Sequence, residues 1–126
     1  MTNKKLGRQT AALSSPLALL SWGNVAGKKE GEGPLGNTFD YLDGDDTFGE
    51  STWEKAESAM QKQALALALN RAGLAVSQLD WLFAGDLLNQ CIGSSYAARG
   101  QDVPFFGLYG ACSTMGEGLK IGRAHV

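Results

Sequence analysis

The sequence predicts an α/β fold, a parallel-rich sheet with flanking helices. Two observations carry that prediction. Apolar bursts at 16–24, 79–84 and 103–109 alternate with segments that hold helix-start and helix-stop residues, and each intervening segment is long enough for the crossover that parallel strands require. The composition is that of a folding chain: 44% of the 126 residues are hydrophobic and 19% are charged. Such a chain makes one domain or a piece of a larger one, and its apolar content argues against disorder.

The elements follow in order. Pro16 to Asn24 (PLALLSWGN) is a short apolar run closed by turn residues, so it reads as a buried strand despite its leucines. Val25 to Gly49 is rich in Gly and Asp with isolated Phe39, Tyr41 and Phe48, which suits a long irregular excursion pinned by aromatics. Ser51-Thr52-Trp53-Glu54 has the form of a capping box, in which the Ser51 hydroxyl and the Glu54 carboxylate each satisfy an exposed amide. The helix that follows is expected from Trp53 to Ala72. Within it, Ala64 to Leu69 alternates Ala and Leu but contains no β-branched residue, so helix propensity outweighs the strand-like alternation. Gly73 then supplies a left-handed stop, with Leu74 making the accompanying hydrophobic contact. Leu79 to Ala84 reads as a strand, with Asp86 just past its C-terminal end. A helix from Leu87 to Arg99 closes at Gly100, and Val103 to Tyr109 forms the next strand, with Pro104 near its start where a missing amide is tolerated. Gly110 to Met115 turns into a further helix.

Charge and apolar content narrow the function classes. A formal charge of -2 offers no basic field for nucleic acid or an anionic membrane. No apolar run approaches the roughly 20 residues of a membrane helix, and Met1 to Arg8 lacks the hydrophobic region of a signal peptide. The expectation is a protein made and kept inside a cell. Cys91 and Cys112 are isolated from each other and from any usable histidine, so reduced thiols are expected, with neither a disulfide framework nor a metal site.

Three motif readings fail on single residues. Gly31 to Thr38 has the glycine spacing of a phosphate-binding loop, but Asn37 stands where the phosphate-contacting lysine is required. Asp43, Asp45 and Glu54 have EF-hand spacing, yet Thr47 and Phe48 occupy positions that need a ligand and a sharp-turn glycine. A solvated acidic turn is the better reading there. Gly110-Ala111-Cys112-Ser113-Thr114 resembles a nucleophile elbow, but Thr114 replaces the second glycine. What survives is Cys112 at a strand-to-helix junction, where unpaired amides and the helix dipole favour a thiolate. That geometry suits a nucleophile or an anion site; the alternative is a small buried residue packing the turn.

Phe83 to Ser95 (FAGDLLNQCIGSS) and Val103 to Met115 (VPFFGLYGACSTM) closely resemble the corresponding stretches of the stage V sporulation protein AD family. The resemblance extends through Gly31 to Gly36, Phe39-Asp40 and Ser51 to Glu57, back to Gly7-Arg8-Gln9-Thr10. It implies a thiolase-like fold, of which this chain is a truncated N-terminal part. In thiolases and type III ketoacyl synthases the acylated cysteine starts a buried helix, the position that Cys112 matches. Catalysis there also needs a histidine, and this chain has only His125. The resemblance therefore implies no enzyme and no cofactor. It implies instead a binding component for dipicolinic acid (pyridine-2,6-dicarboxylate), possibly as its calcium chelate, during transport into the developing spore.

Membrane-embedded SpoVA proteins are the implied partners, with a peripheral position on the spore inner membrane. Ligand contacts are expected from Cys112, Asp86, Asn89, Ser94 and Ser95, with helix capping the alternative for Asp86. An acyltransferase using Cys112 and a non-binding scaffold are the rival readings. The resemblance also implies a homodimer that buries Pro104 to Tyr109, with Cys112 mostly buried behind that strand. Ile121 to Val126 reads as the translation of a common sequencing adapter, so residues 121–126 are expected to be non-native and residues 1–120 to be the domain's N-terminal part.

Overall fold

The computed structural model describes residues 4–13 and 15–124, which leaves His125 outside the described residues. The chain forms a mixed α/β arrangement built around one long helix, α2 (Trp53–Ala72), which has the bounds its sequence sets. Its capping oxygen lies one residue later than expected. Thr52 accepts from the Lys55 amide at 3.4 Å, while the Ser51 hydroxyl accepts from Lys55 Nζ at 3.4 Å. At the other end Gly73 turns left-handed at φ 66°, and the amides of Gly73 and Leu74 bond the carbonyls of Asn70 and Leu69 at 3.2 and 3.0 Å. Those two bonds satisfy the last turn's carbonyls.

Strands come as three two-stranded pieces among the described residues rather than as one sheet. β1 (Lys4–Leu6) and β2 (Thr10–Ala12) form an antiparallel hairpin that the sequence reading did not foresee. β3 (Val25–Ala26) runs parallel to β4 (Tyr41–Leu42). Between them lie the single-turn helix α1 (Lys28–Gly31) and a 3-10 turn at Gly36–Thr38. The rest of 25–49 is irregular, and the Tyr41 and Phe48 rings meet at 6.3 Å. In its acidic turn the Asp45 carboxylate accepts from the Thr47 and Gly49 amides at 3.0 and 3.1 Å.

β5 (Leu82–Ala84) and β6 (Phe105–Gly107) pair in parallel, Leu82 opposite Phe105 and Ala84 opposite Gly107. The crossover between them is α3 (Ile92–Ala98), shorter than expected because Asn89–Cys91 forms a 3-10 turn first. α3 lies on α2 in the most extensive helix contact of the described residues. The seam is made of small residues: Ala56 and Ser58 of α2 and Gly93, Ser94 and Ala97 of α3 are all buried. Small side chains let the helix backbones approach until the Ser58 hydroxyl lies 2.9 Å from the Gly93 carbonyl. A final helix, α4 (Thr114–Ala124), packs on β5 through Gly118 and Gly122, where an added Cβ would lie 3.9 Å from the Phe83 Cβ and 3.7 Å from the Phe83 ring.

The expected strand at Pro16 to Asn24 is absent: 15–24 contains no regular structure, and Leu17, Leu19, Leu20 and Trp22 are exposed. Non-local contacts override the local pattern. Gly23 lies so close to α2 that a Cβ there would stand 2.6 Å from the Ala64 carbonyl oxygen. The Ser21 hydroxyl donates to the Ala68 carbonyl at 2.7 Å, and Arg71 Nη1 donates to the Trp22 carbonyl at 2.9 Å. The segment is thereby held to a helix rather than beside a strand.

Candidate functional site

Both strand-to-helix turns of the β5–α3–β6–α4 unit depart from relaxed backbone. Gln90 and Cys91 after β5 and Ala111 after β6 have φ of 56°, 55° and 49°. Non-glycine residues in that region cost on the order of 1 kcal/mol or more each and concentrate at functional sites. Gly85 explains how close the turns come: a Cβ there would lie 2.1 Å from the Leu108 carbonyl oxygen and 2.8 Å from the Thr114 methyl.

Asp86 organises the first turn. It is buried and accepts hydrogen bonds from the Leu88 amide at 2.8 Å and from the Ser94 amide and hydroxyl at 2.7 Å each. Ser94 itself is 0% exposed. The buried Cys91 thiol donates to the Leu108 carbonyl at 3.2 Å and so ties this turn to the end of β6. Glu57 of α2 faces the same spot, because a Cβ on Gly93 would meet Asp86 Oδ2 at 3.3 Å and the Glu57 carboxyl carbon at 3.4 Å. Burial, and secondarily the Asp86 charge, push the Glu57 carboxyl above its ordinary range, while a hydrogen bond with Gln61 pulls the other way.

Above these groups opens a cleft of about 920 Å³. One wall is α2, with Gln61, Lys62 and Leu65; another is the segment Trp81 to Gly85; Ser94 and Ala97 of α3 and Ala111, Cys112 and Thr114 at the start of α4 complete it. Its surface is mainly apolar, and Lys62 is the sole charged side chain among the described lining residues. The Thr114 hydroxyl is buried without a hydrogen-bond partner, an arrangement that costs about 1–3 kcal/mol unless a ligand or water answers it.

Of the five expected contact residues, Cys112 and Ser94 line the cleft. Asp86 lies beneath it, and its hydrogen bonds realise the capping alternative. Asn89 and Ser95 are exposed and stand outside the cleft lining. Cys112 follows β6 in a 3-10 turn, Ala111–Ser113, that leads into α4, and its thiol is free, as expected. The expectation of burial is wrong: Cys112 is exposed and Cys91 is the buried thiol. α4 contacts the β5 side through Thr114, which lies against Gly85, and further along through Gly118 and Gly122, while Cys112 in the preceding turn is left open. Glu117 also sits at that turn, hydrogen-bonded with the Ser113 hydroxyl, where its charge opposes an anion. Lys62, Thr114 and Glu57 escaped the sequence reading; only Thr114, in the residues around Cys112, carried a local signal.

The class that the geometry defines is a mixed α/β protein with a parallel strand pair, an apolar cleft beside it and non-glycine residues at positive φ in both strand-to-helix turns. Comparison with known proteins supplies the particular lineage: residues 7–126 match the family model described as stage V sporulation protein AD, and the chain belongs to that family. It is similar to the stage V sporulation protein AD of Bacillus subtilis (strain 168), 38% identical over 123 residues. That alignment covers 98% of this chain and 36% of the relative, so the chain spans about a third of the relative's length. Membership supports a role related to sporulation. Among the described residues no helix is long and apolar enough to cross a membrane.

Proposed function

We propose that this chain contributes a binding site for dipicolinic acid in the transport of dipicolinate, with calcium, into the developing spore. The observation that carries the reading is the cleft, with apolar walls for a flat aromatic ring and Lys62, Cys112 and Thr114 among its lining residues. The Lys62 ammonium suits a carboxylate, and the walls at Leu65, Trp81 and Phe83 suit a pyridine ring. The thiolase-like architecture implied by the resemblance, SpoVA membrane proteins as partners, a homodimer through 104–109 and a peripheral place on the spore inner membrane belong to the same proposal. Phe106 and Tyr109 are exposed, as that interface requires.

Calorimetric titration of dipicolinate into the full-length protein tests the reading. Saturable binding that falls about tenfold in Lys62→Glu, roughly 1.4 kcal/mol, supports it. No binding, or binding untouched by substitutions along the cleft, overturns it. The exposed thiol of Cys112 favours a second reading, acyl transfer. Acylated Cys112 recovered after incubation with an acyl-coenzyme A would replace the first reading with the second.

A further inference from the structure

We infer that Glu57, which stands outside the cleft, positions Gln61 within it, and that the protonation of Glu57 decides which end of the Gln61 amide a ligand meets. The inference rests on the reading of the cleft as a site for a carboxylate ligand and adds a residue that acts on it from behind the wall. Gln61 is half-buried and lines two cavities, the cleft and a neighbouring hollow of about 610 Å³. Ala64 and Gly85 are also common to both linings, so the two cavities lie on either side of one thin wall. Glu57 lines the hollow and not the cleft. It precedes Gln61 by one turn of α2, the spacing that puts two side chains on one helix face, and the two are hydrogen-bonded. That bond favours the charged carboxylate, so the Gln61 amide nitrogen is its donor. Held this way, Gln61 leaves its carbonyl oxygen, an acceptor, for the cleft. A protonated Glu57 has an O–H that the Gln61 carbonyl accepts instead, and the amide nitrogen is then free to donate to a carboxylate beside Lys62. The other groups around Glu57 favour that proton. Asp86 faces it across Gly93, Asp46 shares the hollow, and Glu54 stands one turn earlier on α2, while Val25 of β3 and Gly93 of α3 bring no charge. No cation is among the described residues that line the hollow. Burial and Asp86 raise the Glu57 carboxyl above its ordinary range, so affinity for a carboxylate ligand rises as pH falls through that raised value.

The side-chain amide of Gln61 reports this without any ligand. In nuclear magnetic resonance of the full-length protein with isotope-labelled glutamine, the signal lost in Gln61→Leu is that of Gln61. It is expected to shift with pH in the unaltered protein, above the ordinary glutamate range, and to stay still in Glu57→Gln. The other glutamine signals, unmoved, show that each variant is folded. A Gln61 signal that ignores pH, or that shifts equally in Glu57→Gln, overturns the inference. Titration of dipicolinate supplies the second arm. From about pH 8 to about pH 5 its affinity should rise at least about threefold in the unaltered protein, and both Glu57→Gln and Gln61→Leu should lose that rise. A rise that survives in Gln61→Leu makes Glu57 a bare charge near the site and overturns its positioning role. A Gln61 signal that follows Glu57 in a protein that binds no dipicolinate upholds the coupling of the two side chains and removes the binding reading, so the two failures are told apart.

Discussion

The α2–α3 seam and the 16–22 segment, both in contact with α2, show two ways in which a chain uses the same helix. At the seam, residues with almost no side chain bring backbones close enough that Ser58 donates to the Gly93 carbonyl, while Asp86 accepts from the Ser94 amide and hydroxyl. At 16–22 large apolar side chains face solvent, and the chain is held down by the Ser21 hydroxyl and by Arg71, which bonds the Trp22 carbonyl and lies 5.9 Å over the Trp22 ring. Hydrophobicity in the sequence thus marks the loosely held region, while the tightly held one is written in Gly, Ala and Ser. Close packing depends on shape and satisfied polar groups as much as on apolar content.

The sharpest way to break the seam side of this contrast is Gly85→Ala. A Cβ at 2.1 Å from the Leu108 carbonyl oxygen cannot be accommodated without moving β5 or β6, and a loss on the order of 4 kcal/mol, or failure to fold, is expected in urea unfolding. Asp86→Ala comes next. It strands the Ser94 hydroxyl and two amides inside the seam, for a loss of roughly 2–4 kcal/mol by the same measurement.

Glu57→Gln sharpens the comparison through pH. A carboxyl whose folded value is raised by burial and by Asp86 binds its proton more tightly in the folded state than in the unfolded chain. Stability therefore falls as pH rises from the unfolded glutamate value, about 4.3, through the raised folded value. Glu57→Gln should be more stable than the parent above that window and should lose the slope within it, read by unfolding midpoints across pH. A parent and variant with parallel pH profiles would show that Glu57 feels neither burial nor Asp86.

On the other side of the contrast, Arg71→Leu removes the guanidinium that pairs with both Asp40 oxygens and bonds the Trp22 carbonyl. The Arg71 hydrogen bond, with a smaller contribution from the Asn24 amide, holds the Asp40 carboxyl below its ordinary range. The variant should expose 15–24 to limited proteolysis while the α2–α3 seam keeps its unfolding midpoint. The smallest effect belongs to Leu20→Ser: an exposed leucine off the cleft wall should change stability by no more than about 0.5 kcal/mol.

Local chemistry determined α2 from the sequence alone. A hydroxyl before Trp53 and a glycine after Ala72 act within four residues of the helix ends, so both bounds of α2 could be read without knowing any neighbour. Apolar bursts bounded by turn residues marked the strands at 82–84 and 105–107 and the helix after Cys112, and the helical segment between the strands implied that they run parallel, while their register was left to the fold. Tertiary structure alone decided that Pro16 to Asn24 is no strand, that Cys112 is open while Cys91 is closed, and that Lys62 and Glu57 face the cleft and the seam. Burial depends on which distant surfaces meet, and a side chain's neighbours across space leave no periodicity in its own stretch of sequence.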